Sequence, residues 1–318
     1  MADLLGGLTS SGWLFLFAWV LPSSIFVSGV ATLVLPAARD AIAPEAAMLA
    51  SFAFVEQSLV LAFLALALGL VMGAASTPLY RLLEGYSWPG RLRNWGMDRQ
   101  RSRKELIAKS VEELEDGPEK ALRYEELQRF PGDPDVAPSR LGNALRAFET
   151  YGVDRYNLDS QSFWTELLTV VPDSLRTELA RARANVDFFV AATYLSAAFG
   201  VLAVATGLAA RTAGAGLALL GVVALVLSPC CYRLAVTSTT YWASTVRALV
   251  HLGRKQLAAG LGLRLPRELE QEREMWHLLA AFVFYPYDPK WADRLDEYRT
   301  ATAADAGDAG DAGDVEPK

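Results

Sequence analysis

Apolar positions in this chain gather into four long runs, and between the runs apolar and polar residues recur at helical spacing. The runs lie at roughly 13–35 (WLFLFAWVLPSSIFVSGVATLVL), 58–75, 188–210 (FFVAATYLSAAFGVLAVATGLAA) and 214–234 (GAGLALLGVVALVLSPCCYRL). Each reaches the ~20 residues that a helix needs to cross a bilayer. Buried helices of water-soluble proteins seldom stay free of charge for so long, so the runs predict four transmembrane helices. Asp3 is the only charged side chain before the first run. That run also exceeds the ~7–15 apolar residues of a secretory leader, so it is expected to be a retained span.

The segments between the runs carry a different period. KELIAKSVEELED brings Leu106, Ile107, Val111 and Leu114 near helical spacing, and Pro118 suits the first turn of a helix through Leu122 and Leu127. PGDPDVAP (131–138) stops that helix, and Ser139 caps the next, with Leu141, Leu145 and Phe148 on one face. A further helix is expected from Asp159 or Ser160, carrying Phe163, Trp164, Leu167 and Leu168. Breaking and recapping at Pro172–Ser174 should start a helix that runs into the third span. The segment after the fourth span should continue as an amphipathic helix with His251, Arg254 and Lys255 on its basic side. A second amphipathic helix should follow Pro266. No strand-like alternation stands out.

The expected fold is therefore all-α: four transmembrane helices in two hairpins, with a helical cytoplasmic domain inserted between spans 2 and 3. The expected divisions are 1–75 (first hairpin), 76–186 (cytoplasmic helical domain), 187–236 (second hairpin), 237–300 (amphipathic helices) and 301–318, a low-complexity acidic tail expected to be disordered.

Charge sets the orientation. Basic residues cluster after the second span (Arg81, Arg91, Arg93, Arg99, Arg101, Arg103, Lys104), before the third and after the fourth, whereas the two short connectors carry only Arg39 and Arg211. The positive-inside rule then puts both termini and the long middle segment in the cytoplasm of a bacterial inner membrane. Arg91, Arg93, Arg99, Arg101 and Arg103 are candidate contacts for lipid headgroups, beside the plainer reading of positive-inside anchoring. Glu56 and Gln57 open the second run. If that helix ends near Ala75, Glu56 lies at the outer interface, whereas a longer helix from Ala46 would draw it into the hydrocarbon as a functional acid.

Small residues form stripes on three spans: Ala65, Gly69 and Gly73; Ala192, Ser196, Gly200, Ala203 and Gly207; and Gly221, Ala224 and Ser228. These allow close packing within one bundle, or a seam between the protomers of a homo-oligomer. Pro22 and Pro229 each remove a helical hydrogen bond, and Ser23 and Ser24 stand ready to re-satisfy the first site.

The segment RLGNALRAFETYGVDRYNLDSQSFW resembles a motif of uncharacterised polytopic membrane proteins of actinobacteria and related bacteria. There an Arg-Leu-Gly-Asn helix precedes an Arg-Tyr-Gly-Leu-Asp segment and a Trp. Arg140, Leu141, Gly142, Asn143, Arg155, Tyr156, Asp159 and Trp164 match; Asn157 stands where the pattern has Gly, and the proline expected after the Trp is missing. The resemblance implies the four-span layout and carries no activity with it.

Composition narrows the chemistry. The 318 residues are 52% hydrophobic with a net charge of −6, and no extended basic stretch suits nucleic acid. Cys230 and Cys231 are the only cysteines and are adjacent, so no intrachain disulfide framework is expected. The middle segment has no His or Cys, and phosphate-cradling loops are absent from the sequence. A zinc site from Cys230, Cys231, His251 and His277 lacks ligand spacing. No catalytic, metal or cofactor site is expected.

Two functions remain. The first is a non-enzymatic membrane-anchored adaptor whose cytoplasmic domain binds an unidentified protein. Its surface would be Arg140, Asn143, Arg155, Tyr156, Asp159 and Trp164, unless Arg155 simply pairs with Asp159 and Trp164 fills the core. The second is a small channel, transporter or membrane-permeabilising effector leaning on Glu56, Gln57, Pro22 and Pro229.

Overall fold

A computed structural model describes residues 12–38, 54–210 and 214–299, with side chains from residue 56 onward in the second of these segments. The described residues are all-helical, and their one β element is an isolated bridge between Leu263 and Arg299. Four helices are long and apolar enough to cross a membrane: α1 (Gly12–Ala38), α2, whose apolar stretch is Glu56–Ala74, α9 (Asp173–Ala209) and α10 (Gly214–Gly260). The full described extent of α2 is Phe54–Ala74. The Ala46 start, the connectors with Arg39 and Arg211, and the acidic tail lie outside the described residues.

Prolines shape α1. Two π turns, Leu16–Val20 and Val30–Val34, are each followed directly by a Leu-Pro pair, Leu21-Pro22 and Leu35-Pro36. A proline cannot donate to the carbonyl four residues back, and its ring presses on that carbonyl; widening the preceding turn relieves both. The Leu21 and Leu35 N–H groups accordingly reach back five residues, to Leu16 and Val30. Contrary to expectation, Ser23 and Ser24 do not serve the carbonyl of Ala18, the one to which Pro22 cannot donate. Their hydroxyls donate to the carbonyls of Trp19 (2.7 Å) and Val20 (2.8 Å). Pro229 sits inside α10 without ending it.

After α2, Pro78 cannot bond the carbonyl of Ala74, and the chain breaks at Ala75 before α3 (Ser76–Glu84). Left-handed Gly85 (φ 91°) closes α3. Then come α4 (Gly90–Glu113), α5 (Pro118–Leu127) with Pro118 in its first turn, a 3₁₀ turn at Asp133–Asp135, and α6 (Arg140–Glu149). α7 is Tyr151–Tyr156 and α8 is Trp164–Val170; α11 (Leu269–Phe284) and α12 (Pro289–Asp296) follow α10. α8 starts later than expected because the Asp159 carboxylate accepts from the Gln161 and Ser162 amides, holding a turn there. No helix was expected at α12, although Asp288 caps it through the Lys290 amide and Pro289 opens it.

Two compact units emerge, one of 1–147 with 177–243 and one of 148–176 with 244–318. In the first, glycines let helices touch. A Cβ on Gly69 would fall 3.1 Å from the Cα of Val20, and one on Gly73 would fall 2.9 Å from Phe15. A Cβ on Gly200 would lie 2.8 Å from the Gly221 carbonyl, and one on Gly221 would lie 2.7 Å from the Val204 amide. The Ser228 hydroxyl donates to the Thr193 carbonyl at 2.9 Å, tying α10 to α9. Phe17 stacks on Phe188 at 5.0 Å, and Val34, Ala203 and Leu217 form a small core among α1, α9 and α10. α3 is held to α9 by Tyr80, which donates to the Asp187 carboxylate (2.7 Å), and by Tyr194, which donates to the Leu79 carbonyl (2.8 Å).

The second unit is a packed helical body. Leu158, Leu167, Val246, Leu249, Val250, Met275, Trp276 and Leu278 are almost fully enclosed. Its α10 segment approaches α8 closely, since a Cβ on Gly253 would lie 2.9 Å from Leu167.

The glycine contacts yield a direct expectation. Gly221→Ala should cost on the order of 1–3 kcal/mol by overpacking the α9–α10 contact, lowering the thermal midpoint of the detergent-solubilised chain by several degrees. Gly216→Ala, with nothing within 4 Å of the added Cβ, should leave the midpoint unchanged or raise it.

Candidate functional site

The residues of the RLGN…RYNLD…W motif fall in both units. Arg140 and Asn143 belong to the first, and Arg155, Tyr156, Asp159 and Trp164 to the second. Asn143 is fully buried and structural. Its Oδ1 accepts from the Ala137 amide (2.7 Å), and its Nδ2 donates to the carbonyls of Ala137 (3.0 Å) and Ser139 (2.8 Å). Ser139 Oγ accepts from the Gly142 amide at 3.0 Å, capping α6 as its sequence position implied. Together they lock the end of the proline-rich connector onto the helix.

In the second unit, Tyr156 packs between Arg254 and His251. The Arg254 guanidinium lies 4.4 Å from the centre of its ring, and His251 meets it edge-on at 6.0 Å. Arg254 also pairs with both oxygens of Glu272, which is buried and accepts from Trp276 Nε1 at 3.2 Å. His251 Nε2 is 2.7 Å from the Tyr151 hydroxyl. Asn157 ends α7 in the left-handed conformation (φ 60°), which glycine adopts freely and asparagine with little penalty. Arg155 and Asp159 form no ion pair. Asp159 spends its carboxylate on its own turn, while Arg155 is exposed and its carbonyl accepts from Arg273 at 2.8 Å. Phe163, not Trp164, is the core residue there; Trp164 is half-buried.

The first unit contains a site that the motif only brushes. Arg103, Glu126, Arg129, Phe130, Arg140, Asn143, Arg233, Val236 and Thr237 line a cavity of about 270 Å³. Arg103 pairs with Glu126 and lies over the Phe130 ring at 5.9 Å, and Arg123 holds the same carboxylate at 3.2 Å. Partial burial pushes the Glu126 carboxyl up. The hydrogen bonds and charges of Arg103 and Arg123 outweigh this and hold it below the usual carboxylate range. Arg140 is shifted below the usual guanidinium value by partial desolvation, then by the like charge of Arg103, with Arg233 adding to it. The neighbouring phenol of Tyr232 accepts from the Leu141 amide at 3.2 Å.

Of the other candidates, Arg91, Arg93, Arg99 and Arg101 are exposed on α4, and Arg99 lies over Trp95 at 5.3 Å. Glu56 is exposed in the first turn of α2 and Gln57 is half-buried beside it. Cys230 and Cys231 are both free thiols. Among the described residues no three His, Cys, Asp or Glu side chains converge as a metal site. No family profile, curated protein or solved structure matches this chain.

Removing one partner of the buried ion pair should be costly. Glu272→Ala strands Arg254 and should destabilise the fold by about 3–5 kcal/mol, against about 1 kcal/mol for Tyr156→Phe, which keeps the ring under the cation. Urea melts in detergent monitored by tryptophan fluorescence would measure both.

Proposed function

We propose that this chain is an integral membrane protein of the bacterial inner membrane, acting as a non-enzymatic adaptor. In this reading the four apolar helices form two hairpins, both termini are cytoplasmic, and residues 76–186 are inserted between spans 2 and 3. The resemblance of the RLGN…RYNLD…W segment to actinobacterial polytopic membrane proteins supports the layout. So does the outward turn of the apolar helices: only 17–33% of each apolar window is buried within the chain. Glu56, in the first turn of α2, then lies at the outer interface.

The observation that carries the adaptor role is a run of exposed apolar and aromatic side chains in the second unit. Phe282, Val283, Phe284, Tyr285 and Tyr287 are 39–72% exposed at the end of α11 and beyond it. Patches of this kind with aromatic anchors mark partner surfaces. Arg155 and Trp164 belong to the same unit and are further candidates for contact with a partner; Asn143 serves the fold. The channel reading draws less support. The cavity among α1, α9 and α10 is lined by Pro22, Phe26, Leu33, Phe199 and other apolar groups with no charged residue, and the Ser196 hydroxyl there is bonded to the Ala192 carbonyl.

Three experiments test these statements. Cysteines introduced singly into a Cys230→Ser, Cys231→Ser background should react with a membrane-impermeant maleimide on intact spheroplasts at Ala43→Cys and only after lysis at Asp116→Cys; the reverse pattern refutes the orientation. Affinity capture in mild detergent should recover a stoichiometric partner with the wild type, and at least tenfold less with Tyr285→Ser, Tyr287→Ser or Trp164→Ala at unchanged thermal midpoint. Undiminished recovery refutes the surface. Proteoliposomes should show no ion flux above empty vesicles; flux abolished by Glu56→Gln would restore the channel reading.

A further inference from the structure

The cavity on the first unit collects more positive charge than it neutralises. Arg103, Arg129, Arg140 and Arg233 line it, against the single carboxylate of Glu126. That carboxylate is already shared by Arg103 and Arg123, and Arg129 is paired outside the lining with Glu125 at 2.9 Å. Among the described residues no carboxylate lies within ion-pair distance of Arg140 or Arg233. Arg129 Nε is buried with no hydrogen-bond partner, an orphan donor at the same cavity. Guanidinium groups never discharge at working pH, so their mutual repulsion is not relieved by losing a proton. An anion relieves it.

We infer that this cavity binds a phosphate group, held by Arg140 and Arg233 with Arg103 and Arg129 behind them. Planar guanidinium forks match the oxygen pairs of a phosphate, and a phosphate monoester brings close to two negative charges at pH 7. About 270 Å³ is room for a phosphate with part of the group that carries it. Thr237 and Asn143 add polar side chains to the lining, though the Asn143 amide is already committed to Ala137 and Ser139. Arg233 stands in the last turn of the apolar run of α10, followed only by Leu234. If that run lies in hydrocarbon, the cavity is at headgroup depth, and an anionic phospholipid is one source of the phosphate; a soluble phosphate compound is the other. The lipid source rests on the membrane reading, and the soluble source does not.

The test uses the full-length chain in a neutral detergent. Phosphatidic acid is offered in one arm and read by native mass spectrometry against phosphatidylcholine; pyrophosphate is offered in the other and read by thermal shift and calorimetry. Retention of phosphatidic acid, weakened at least tenfold by Arg140→Gln and by Arg233→Gln but unaffected by Arg91→Gln, supports the site with a lipid source. Pyrophosphate binding with the same dependence, falling steeply with added salt, supports it with a soluble source. Arg233→Lys, which keeps charge at an exposed position, should retain partial binding and controls for misfolding of the glutamine variants. Absence of binding in both arms overturns the inference, and so does binding indifferent to Arg140 and Arg233. Both results leave the membrane reading standing.

Discussion

The solvent that the four apolar helices face is the constraint on which the rest of this structure depends. Leu59, Phe63 and Leu70 on α2, and Leu219, Val223 and Val226 on α10, point away from the protein and are 53–70% exposed. Leaving one such side chain in water forgoes roughly 1.5–3 kcal/mol, while a whole domain is stable by only about 5–15 kcal/mol. Hydrocarbon removes that penalty, and helices can stand in it because their backbone groups are bonded internally. Once lipid is the solvent, apolar contact no longer draws helices together, and glycine at the contact does the work by letting backbones approach. That is why Gly69 meets Val20 and Gly221 meets Val204 at distances where a Cβ would collide.

Different forces hold the second unit. There, burial of Leu249, Met275, Trp276 and their neighbours supplies a conventional core, and the charge taken inside it is matched to partners. Glu272 is buried because Arg254 and Trp276 both donate to it, and Tyr156 covers the guanidinium from the other side. The first unit follows the same rule with Asn143, and with Asp187 under the Tyr80 hydroxyl. In the arginine-lined cavity the matching of charge is incomplete.

Much of the helical layout was legible because apolar runs and caps are local signals. The four long helices, the Pro118 start of α5 and the Ser139 cap of α6 all follow from a few neighbouring residues. What could not be read depended on distant partners. Nothing in RYNLD says that Tyr156 will meet Arg254, about a hundred positions later, or that Asp159 will serve its own turn and leave Arg155. The arginine cavity joins residues from α4, α6 and α10 with the end of α5, and among its basic residues only Arg103 and Arg140 had been named as site candidates. The π turns of α1 carried a readable sign, the two Leu-Pro pairs, whose consequence appears only when the ring is placed against the preceding turn. The Asp288-Pro289 start of α12 was equally local and went unread.

Fractionation of expressing cells bears on the central claim most directly. Membranes washed with alkaline carbonate and then with urea should retain the full-length chain in the pellet, released only by detergent. Recovery of a monodisperse, folded chain in the aqueous wash would contradict the account, because the outward faces of α2 and α10 would then be standing in water.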